Sequence, residues 1–508
     1  MIRKILPVLL VLLSACAQLP PRPALPSTSA PALGRATRLD ALTGAAEAKH
    51  PGAAGFRLVK DGPEAFALRM TTAALAGRSL DVQSYIWHAD MTGLALADTL
   101  IEAAERGVKV RLLLDDLDAR AKNYGLAALA AHPNIEVRMF NPLPSRKGVL
   151  ALVGDFLGSG RRLNHRMHNK TWIADNRIGI VGGRNLGNEY FGADAEVNFV
   201  DLDFALVGPV VRTASRSFDR YWNASVSYPI ETLSADGVNP AALAKLRTGL
   251  AQATQAARTS AYSELLRRDD AVQRLLTGDW PMTWSTEYRF VSDDPSKALT
   301  DPDHAQSSVL KVIGAPLTGA QHSVTIVSPY FVPGKGGTAW LVKRAKEVER
   351  VRILTNSLAA NDVAMVHGGY SRYRKDLLAG GVQLWELKPV PGTKPRASLF
   401  GSRGASLHTK ALAADGDWLF VGSYNLDPRS TSLNCEQGVL VRSPPLAGQF
   451  EGIFGRQSAG ERAWQLRLRD GKLAWTDGTA TFHSDPMASG GRRFQAWLAG
   501  LLPVESQL

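Results

Sequence analysis

Cysteine is nearly absent from this chain of 508 residues, which contains only Cys16 and Cys435. A disulfide framework is therefore excluded, and cysteine usage does not identify the redox compartment. Long apolar runs are absent too. The run from Ile5 to Leu13 is shorter than the ~20 residues that a membrane-spanning helix needs, and no other segment approaches that length. The sequence therefore predicts a chain that is not embedded in a bilayer.

Acidic residues are outnumbered, with 47 Asp and Glu against 59 Lys and Arg, for a net charge of +12. Such a basic chain suits anionic phospholipids or nucleic acid, and charge alone does not choose between them. The composition, 45% hydrophobic and 21% charged, is that of a globular protein. The length allows two ordinary domains or one large fused unit.

The N-terminus has the parts of a bacterial lipoprotein signal. Arg3 and Lys4 form a basic patch, the apolar run follows, and residues 13–16, Leu-Ser-Ala-Cys, resemble a lipobox. We predict that residues 1–15 are a signal peptide and that lipidated Cys16 holds a periplasm-facing lipoprotein of the cell envelope on its membrane. An uncleaved anchor is the alternative, and inner or outer membrane is left open. The five prolines within residues 16–38 predict an extended tether.

A pattern of six positions occurs twice, 240 residues apart (His168 to His408). The first copy consists of His168, Lys170, Asp175, Gly182, Gly183 and Asn185, and the second of His408, Lys410, Asp415, Gly422, Ser423 and Asn425. Identical offsets indicate a duplicated unit, each copy of which supplies half of one site.

Each copy predicts a strand, a tight turn, a second strand and a loop that ends in Asn. The alternation of His and Lys with other residues places both on one strand face, and the Asp-Asn and Asp-Gly pairs mark turns. The small-residue pairs, Gly-Gly and Gly-Ser, would let backbone N–H groups approach an anion, and the Asn amide adds a donor.

Two such halves meeting across a pseudo-twofold axis would bring together two His, two Lys and two Asn, a set that suits a phosphate ester. The Lys and Asn groups would hold the non-bridging oxygens. One imidazole can form a phosphohistidine while the other protonates the leaving alkoxide and then deprotonates the incoming alcohol or water. Because lysines supply the positive charge, no metal or other cofactor is predicted.

These residues resemble the paired HKD motifs of the phospholipase D superfamily. Longer stretches, such as NHRMHNKTWIADNRIGIVGGRNLGNEYF and SLHTKALAADGDWLFVGSYNLDPRSTSLNCEQGVL, are similar to bacterial cardiolipin synthases of the C type. The resemblance implies that His168 is the nucleophile and His408 the general acid/base, an order that the near-equivalent halves do not show by themselves. We interpret Asp175 and Asp415 as structural anchors of the hairpins. The residues implied to bind phosphate are Lys170, Lys410, Asn185 and Asn425.

Four further positions follow from the same resemblance. Glu436 matches the acid that orients a catalytic imidazole through its second nitrogen. Its counterpart in the first half is predicted to be Asp203, because DLDFALV aligns with NCEQGVL. Gly183 and Ser423 are predicted to contact the substrate, and the hydroxyl missing at Gly183 indicates that the halves are not interchangeable.

Three apolar segments of the first half have matches in the second. Segments 79–87, 109–116 and 135–142 correspond to 323–332, 350–357 and 382–389, with helical stretches between them. The pattern predicts an α/β fold. Together with the resemblance, it predicts a duplicated phospholipase D fold, two mixed-sheet halves related by a pseudo-twofold axis with the active site between them. The first half is placed at 39–290, with an insertion at about 215–290, and the second at 291–508.

Two kinds of segment raise the question of lipid contact. Residues 240–276 of the insertion are rich in Ala, Leu and basic residues, which indicates either an amphipathic helix on anionic lipid or helices packed on the sheet. Residues 143–166 and 390–407, each before a catalytic strand, mix basic and apolar side chains. Lifting a lipid from a bilayer and ordinary packing both explain that mixture.

Three functions are compatible with the motifs. In the first, a phosphatidyl group passes to the glycerol hydroxyl of phosphatidylglycerol, which makes cardiolipin, and the donor is phosphatidylethanolamine or a second phosphatidylglycerol. In the second, water is the acceptor, as in a phospholipase D proper. The third, a nucleic-acid phosphodiesterase, is disfavoured because the chain shows no aromatic-interleaved basic surface, so no nucleic-acid partner is expected.

Overall fold

The computed structural model describes residues 19–119, 122–144, 164–267, 270–361, 363–389, 406–501 and 505. The predicted signal peptide, the Cys16 lipidation site and most of the two loops that precede the catalytic strands lie outside these residues.

The first half of the described chain contributes a mixed sheet of nine strands. They are β1 (Ala54–Val59), β2 (Ser79–Ser84), β3 (Lys109–Asp115), β4 (Ile135–Phe140), β5 (Thr171–Ala174), β6 (Ile178–Gly182), β7 (Asp203–Val207), β8 (Ser227–Pro229) and β9 (Thr283–Ser285). Their order is β8-β4-β3-β2-β5-β6-β7-β1-β9. Strands β2, β3 and β4 pair in parallel, and the other pairings are antiparallel.

The second half contributes a sheet of ten described strands. They are β10 (Tyr288–Ser292), β11 (Ser323–Val327), β12 (Arg350–Asn356), β13 (Gln383–Leu387), β14 (Ala411–Ala414), β15 (Trp418–Gly422), β16 (Gln437–Arg442), β17 (Ala463–Arg469), β18 (Lys472–Thr476) and β19 (Thr481–Phe482). The segment β17-β13-β12-β11-β14-β15-β16-β10 repeats the order β8-β4-β3-β2-β5-β6-β7-β1 of the first sheet. The predicted duplication of an α/β unit is confirmed.

Helices connect the strands of the two sheets, and two of them, α7 (Pro209–Asn223) and α17 (Pro444–Ser458), pack into the core that the two sheets share. Those of the first half are α1 (Arg38–Lys49), α2 (Gly62–Leu75), α3 (Met91–Glu105), α4 (Asp116–Ala119), α5 (Asn123–Ala130), α6 (Asn188–Phe191), α7 (Pro209–Asn223), α8 (Ile230–Leu233), α9 (Pro240–Arg258), α10 (Ala261–Arg267) and α11 (Asp270–Thr277). Those of the second half are α12 (Ser308–Gly319), α13 (Gly334–Glu347), α14 (Ala364–Ser371), α15 (Arg374–Ala379), α16 (Pro428–Ser432), α17 (Pro444–Ser458) and α18 (Gly490–Leu501). Among the described residues, no helix combines the length and the apolar character that crossing a membrane requires.

Alternation along the strands decides how the layers pack. In β7, Phe204 and Leu206 belong to a core that also contains strands of the second sheet, whereas Ala205 and Val207 belong to the core under the helices of the first half. Strand β16 repeats this pattern in the second half. Each half therefore buries one face of its sheet against the other half, and the chain forms one body with a junction along its middle.

The insertion is shorter than the predicted 215–290. Helix α7 is buried beneath the first sheet and has its counterpart in α17, and β8 has its counterpart in β17, so both belong to the repeated unit. The extra segment runs from α8 to α11, and its long helix α9 packs on α3 and α5. That packing is the second of the two alternatives left open by the sequence. The chain passes to the second sheet between Ser285 and Tyr288, close to the predicted boundary.

The proline-rich segment lies along the first half and does not extend away from it. The Ala30 N–H donates to the carboxylate of Asp219, and the Thr28 N–H donates to Oδ1 of Asn223 at 3.1 Å. An extended proline-rich backbone has no hydrogen bonds of its own, so the polar side chains of α7 satisfy it. The tether predicted over 16–38 is therefore bonded to the first half at residues 28 and 30.

Candidate active site

Main-chain hydrogen bonds to the opposite half hold each motif histidine. The His168 N–H donates to the Cys435 carbonyl at 2.9 Å, and the Cys435 N–H donates to the Arg166 carbonyl at 2.8 Å. The equivalent bond on the other side joins the His408 N–H to the Val200 carbonyl at 2.8 Å. Both histidines therefore lie at the junction of the halves, just before the hairpins β5–β6 and β14–β15.

Each imidazole also meets a carboxylate of the opposite half. His168 Nδ1 lies 2.9 Å from Glu436 Oε2, and His408 Nδ1 lies 2.6 Å from Asp201 Oδ2. A carboxylate at Nδ1 keeps the imidazole proton on that nitrogen and fixes the ring plane. Nε2 of each ring is thereby left as the atom that can attack phosphorus or exchange a proton with substrate.

The prediction that Asp203 is the counterpart of Glu436 is wrong. Asp203 lies opposite Gly182 in the β6–β7 pair, whereas Gly438 lies opposite the equivalent Gly422 in the β15–β16 pair. Asp203 therefore corresponds to Gly438, and the acid that holds the imidazole lies two residues earlier. Aligning Asp203 with Glu436 because both are acidic shifted the two segments by two residues. The strand pairings give the correct alignment.

Asp203 instead belongs to a buried ion-pair cluster. Its carboxylate is fully buried between the guanidinium groups of Arg69, at 3.1 Å, and Arg184, at 3.3 Å. Arg184 also donates to main-chain carbonyls of Val59 and Asp201. This ion-pair cluster fixes the segment that carries the acid of His408, so Asp203 acts on the fold and not on the reacting atoms.

The Gly183 position is set by the acid beside it. A Cβ at Gly183 would lie 2.2 Å from Asp201 Oδ1, so any side chain there would require the carboxylate to move. In the second half the hydroxyl of Ser423 donates to Glu436, which also accepts from Ser430 Oγ at 2.9 Å. Ser423 therefore positions the Glu436 carboxylate, and its contact with substrate stays a prediction.

Backbone N–H groups of the small-residue pairs are occupied as well. Gly183 donates to the Leu202 carbonyl at 3.2 Å, and Ser423 donates to the Gln437 carbonyl at 2.8 Å. The anion cradle expected at these pairs is absent, because the sheet uses their donors. Close strand approach is what requires small residues here.

The two motif lysines lie buried beside their histidines. Lys170 Nζ donates to the His168 carbonyl at 2.6 Å, and Lys410 Nζ donates to the His408 carbonyl at 2.7 Å. Burial lowers the pKa of Lys170 well below its ordinary value, and the charge of Lys410 lowers it further, against the opposing effect of Glu436. A group whose ammonium form is desolvated in this way gains most when an anion enters the site.

Apart from burial, the charges of both lysines lower the pKa of both imidazoles. Burial, followed by the charges of Lys170 and Lys410, lowers the pKa of His168 well below 6.5. Burial and Lys410 lower the pKa of His408 to about 3, although Asp201 opposes that change. The four side chains thus form one electrostatic unit, in which both imidazoles are neutral at pH 7 when no anion is bound.

The two motif asparagines differ. Asn185 Oδ1 accepts from the Ile86 N–H at 3.3 Å, and its Nδ2 donates to the Tyr190 hydroxyl at 2.9 Å. The side-chain oxygen of Asn425 is buried with no hydrogen-bond partner among the described residues. A buried amide oxygen without a partner is costly, and because it only accepts hydrogen bonds, it suits a ligand hydroxyl and not a phosphate oxygen.

Aromatic rings enclose the histidines. Tyr85 stands edge-on to His168 with ring centroids 5.2 Å apart, and Tyr190 does the same to His408 at 5.2 Å. Phe199 stacks on His408 at 5.4 Å. Sequence reasoning missed Tyr190 and Phe199. Tyr190 lies five residues after the motif Asn185, which is the one signal that pointed to it, and Phe199 carried none.

The motif aspartates lie at the far end of the hairpins. Asp175 and Asp415 have φ of +54° and +55°, as the tight turns require. Asp175 accepts from the N–H groups of residues 77–79, and Asp415 from those of 321–323, so each ties its hairpin to the start of the central parallel strand. Neither contacts an imidazole, and both serve as anchors of the fold.

Two His–carboxylate pairs, exchanged between two mixed sheets and flanked by buried lysines, define a site of the phospholipase D class. The chain belongs to this superfamily. Residues 70–222 and 314–457, together more than half of the chain, match the family described as "Cardiolipin synthase, PLD-like domain".

Curated relatives agree. The chain is 40% identical over 469 residues to cardiolipin synthase C of Escherichia coli (strain K12), which covers 90% of this chain and 97% of that protein. Cardiolipin synthase B of the same organism is 26% identical, over 76% of each chain. Among solved structures, phosphatidylserine synthase of Haemophilus influenzae Rd KW20 superimposes with a TM-score of 0.53 at 14% identity, covering 79% of this chain and 86% of that one. The last likeness concerns the fold alone.

Proposed function

We propose that this phospholipase D-type phosphatidyltransferase makes cardiolipin from phosphatidylglycerol and a phospholipid donor through a phosphohistidine. The observation that carries the proposal is the pair of buried imidazoles, each held at Nδ1 by a carboxylate and flanked by a lysine. Relatives named cardiolipin synthase support the acceptor.

In the first step, Nε2 of His168 attacks the phosphorus of the donor lipid, and the bond from phosphorus to the headgroup oxygen breaks. The departing oxygen takes a proton from Nε2 of His408. Glu436 accepts the Nδ1–H of His168 and stabilises the positive charge that the ring acquires. In the second step, Nε2 of His408 takes the proton of the glycerol hydroxyl, whose oxygen attacks phosphorus and releases His168.

The two acids differ in a way that fits this order. Burial opposes ionisation of Asp201, but His408, Lys410 and Arg184 outweigh it and lower the pKa of the carboxyl. Burial raises the pKa of Glu436 instead. A firmly ionised Asp201 supports the imidazolium form that a general acid needs, which favours His408 in that role.

Acid catalysis requires a protonated His408, and binding of the substrate promotes this protonation. Burial is the largest cause of the lowered pKa of His408, and the charges of Lys410 and Lys170 lower it further while they are uncompensated. A phosphodiester anion between Lys170 and Lys410 neutralises that field and raises the pKa of both imidazoles. Protonation of His408 is therefore coupled to occupation of the site.

The choice between transfer and hydrolysis depends on water at His408. Phe199 stacks on this ring, Tyr190 meets it edge-on, and His408 is only 6% exposed, which limits its contact with water. That enclosure favours transfer to a lipid hydroxyl. Hydrolysis to phosphatidic acid is the second candidate, since a water molecule that enters the same position would take the same route.

We also propose that the chain works as a periplasm-facing lipoprotein with lipidated Cys16, on the strength of its lipobox-like N-terminus. The donor is phosphatidylethanolamine or a second phosphatidylglycerol.

The test uses the full chain in mixed micelles of isotopically labelled phosphatidylglycerol and phosphatidylethanolamine with EDTA present. We expect cardiolipin from the wild type and none from His168→Ala, and the label identifies the donor. His165→Gln is the matched control, because this buried histidine bonds the Leu433 carbonyl and contacts neither acid. Samples quenched in denaturant at neutral to mildly alkaline pH, because the P–N bond is acid-labile, should carry the phosphatidyl mass on His168. Phosphatidic acid without cardiolipin would establish hydrolysis, and turnover of neither lipid would overturn the lipid assignment.

A further inference from the structure

The C-terminal helix α18 presents its large side chains to solvent. Phe494, Trp497, Leu498 and Leu501 are 60%, 59%, 44% and 63% exposed. Their spacing of three, four and seven residues places them on one face of the helix. The rings of Phe494 and Trp497 contact each other, with centroids 5.8 Å apart. We call these four residues the α18 apolar face.

The opposite side of α18 carries small residues and is firmly seated. Ala496 and Ala499 are buried against α14, and a Cβ at Gly368 of that helix would lie 2.4 Å from the Ala496 carbonyl oxygen. Arg492 is fixed at the helix start by bonds to the carbonyls of Leu358 and Asn361. Burying small residues while exposing large ones reverses the usual pattern of a surface helix, so the outward face has a purpose of its own.

Two exposed methionines lie on or next to these helices. Met365, on α14, is 43% exposed, and Met487, just before α18, is 69% exposed. The helices α14 and α18 pack along each other, so Met365 lies on the helix next to α18 and Met487 lies three residues before its start. Most of the large exposed apolar side chains of the described second half thus belong to two adjoining elements.

The charges around this patch suit an anionic surface. Helix α18 contains Arg492 and Arg493 and no acidic residue. The nearby carboxylates are paired, Asp485 with Arg374 at 2.8 Å and Glu505 with Arg372 at 3.0 Å. Basic residues beside Trp, Phe and Leu are the composition with which an amphipathic helix lies in the headgroup region of anionic bilayers.

The start of α18 lies near the sheet edge that carries the active site. Arg492 bonds the Leu358 carbonyl, two residues after the end of β12. At that end, Asn356 holds Leu407 through bonds of 3.0 Å and 3.1 Å, and Leu407 immediately precedes His408. A bilayer against α18 would therefore lie on the same edge as the catalytic histidines.

We propose that the α18 apolar face, with Met365 and Met487, docks the enzyme on an anionic phospholipid bilayer. The inference rests on the proposed function in one respect, because the docked surface is the one from which the lipid substrates come. Phe494, Trp497, Leu498 and Leu501 enter the headgroup region, and the small inner face keeps the helix fixed to the catalytic body. The docked helix sets the orientation of the active site toward the membrane.

The first experiment measures insertion locally in the full chain. A Cys16→Ser background leaves buried Cys435 as the single native thiol. An environment-sensitive fluorophore is attached at Gln495→Cys, on exposed α18, or at Leu265→Cys, which is 51% exposed on α10 and serves as the control. With phosphatidylglycerol vesicles that carry nitroxide-labelled lipid, we expect at least about threefold quenching at 495 and little at 265.

The second experiment compares catalysis on two forms of the lipid. We expect Phe494→Ser, Trp497→Ser, Leu498→Ser and Leu501→Ser combined to lower turnover of vesicle-embedded lipid about tenfold or more, with turnover in mixed micelles unchanged. The matched control combines Leu265→Ser, Leu299→Ser and Leu310→Ser, three exposed leucines elsewhere.

Three quenching results would overturn the docking proposal: no quenching at position 495 on vesicle-bound protein, equal quenching at position 265, or equal quenching on phosphatidylcholine vesicles. A dimer that is lost in the four-serine variant of α18 would also overturn it, because the face would then be a contact between copies of the chain. Absence of turnover even in micelles would instead contradict the proposed function and leave the quenching result intact.

Discussion

The acid that orients His408 can be identified by two neighbouring substitutions, Asp201→Asn and Asp203→Asn. The first removes the charge 2.6 Å from His408 Nδ1 while it keeps the size of the side chain. The second removes a charge from the cluster with Arg69 and Arg184 and leaves His408 untouched. The pair of variants is closely matched, because both are buried aspartates of one segment.

The expected size of the first effect follows from the bond that is lost. A charge-assisted hydrogen bond contributes roughly 1.5–3 kcal/mol. If Asp201 exerts that effect mainly on the imidazolium form of His408 in the transition state, kcat should fall about 10- to 150-fold, at ~1.4 kcal/mol per factor of ten. The amide of Asn can in addition offer a donor to Nδ1 and reverse the tautomer, which would deepen the loss.

The second effect concerns stability. Removing one partner of a buried ion pair costs about 3–5 kcal/mol, because the remaining charge is left without compensation. Asp203 has no exposed surface, and its partners Arg69 and Arg184 are almost as deeply buried. We therefore expect Asp203→Asn to lower the free energy of unfolding by that amount while kcat of the folded fraction stays within about twofold.

The assay combines cardiolipin formation in mixed micelles with denaturant unfolding, and kcat is normalised to folded protein. Asp201→Asn should lose kcat with KM nearly unchanged, since the orienting acid acts after binding. The reasoning would be refuted if Asp203→Asn lost kcat and Asp201→Asn did not. Equal loss in both would show that the ion-pair cluster also controls the imidazole.

Three further outcomes are expected. Asp175→Asn should lower the free energy of unfolding by about 2 kcal/mol, because three backbone N–H groups lose a charged acceptor, and kcat of folded protein should not change. Phe199→Ala should raise the ratio of phosphatidic acid to cardiolipin several-fold by admitting water to His408; an unchanged ratio would remove Phe199 from the account of transfer. The pKa of His408 in the folded chain is about 3, below the ordinary 6.5, so the unfolded chain binds the proton first as the pH falls. The contribution of His408 to the free energy of unfolding should therefore be complete above pH 6.5 and be lost at up to about 1.4 kcal/mol per pH unit below it. His408→Asn should show a less steep dependence on pH.

Patterns confined to one strand or one turn were predictable from the sequence. Segments 79–87, 109–116 and 135–142 and their three matches all contain strands, and the Asp of each motif does lie in a left-handed turn. These features depend on neighbours in the chain, and alternation and turn chemistry describe them well.

Long-range partners were not predictable in the same way. Asp201 is the partner of His408 because Asp203, and not Asp201, lies opposite Gly182 in the β6–β7 pair. An alignment of the two halves by residue type does not show which residues pair across the strands. The docking of residues 28–30 on α7 depends on Asp219 and Asn223, almost 200 residues away. A proline-rich composition predicts an extended backbone but not what lies beside it.

The difference between Gly183 and Ser423 shows how two nearly equivalent halves acquire unequal chemistry. Asp201 has a short side chain whose carboxylate lies next to residue 183, so Gly is the residue that leaves the carboxylate in place beside His408. Glu436 is one methylene longer, and the hydroxyls of Ser423 and Ser430 hold its carboxylate.

Each small residue is therefore coupled to its own acid. Gly183→Ser alone would push the Asp201 carboxylate away from His408, and Ser423→Gly alone would leave Glu436 short of a donor. The two pairs also leave their acids with opposite pKa shifts, lowered at Asp201 and raised at Glu436, so the imidazoles they hold are not equally ready to accept a proton. Because each acid crosses the junction to the other half, this inequality belongs to the assembled pair, and neither half could hold a competent histidine by itself.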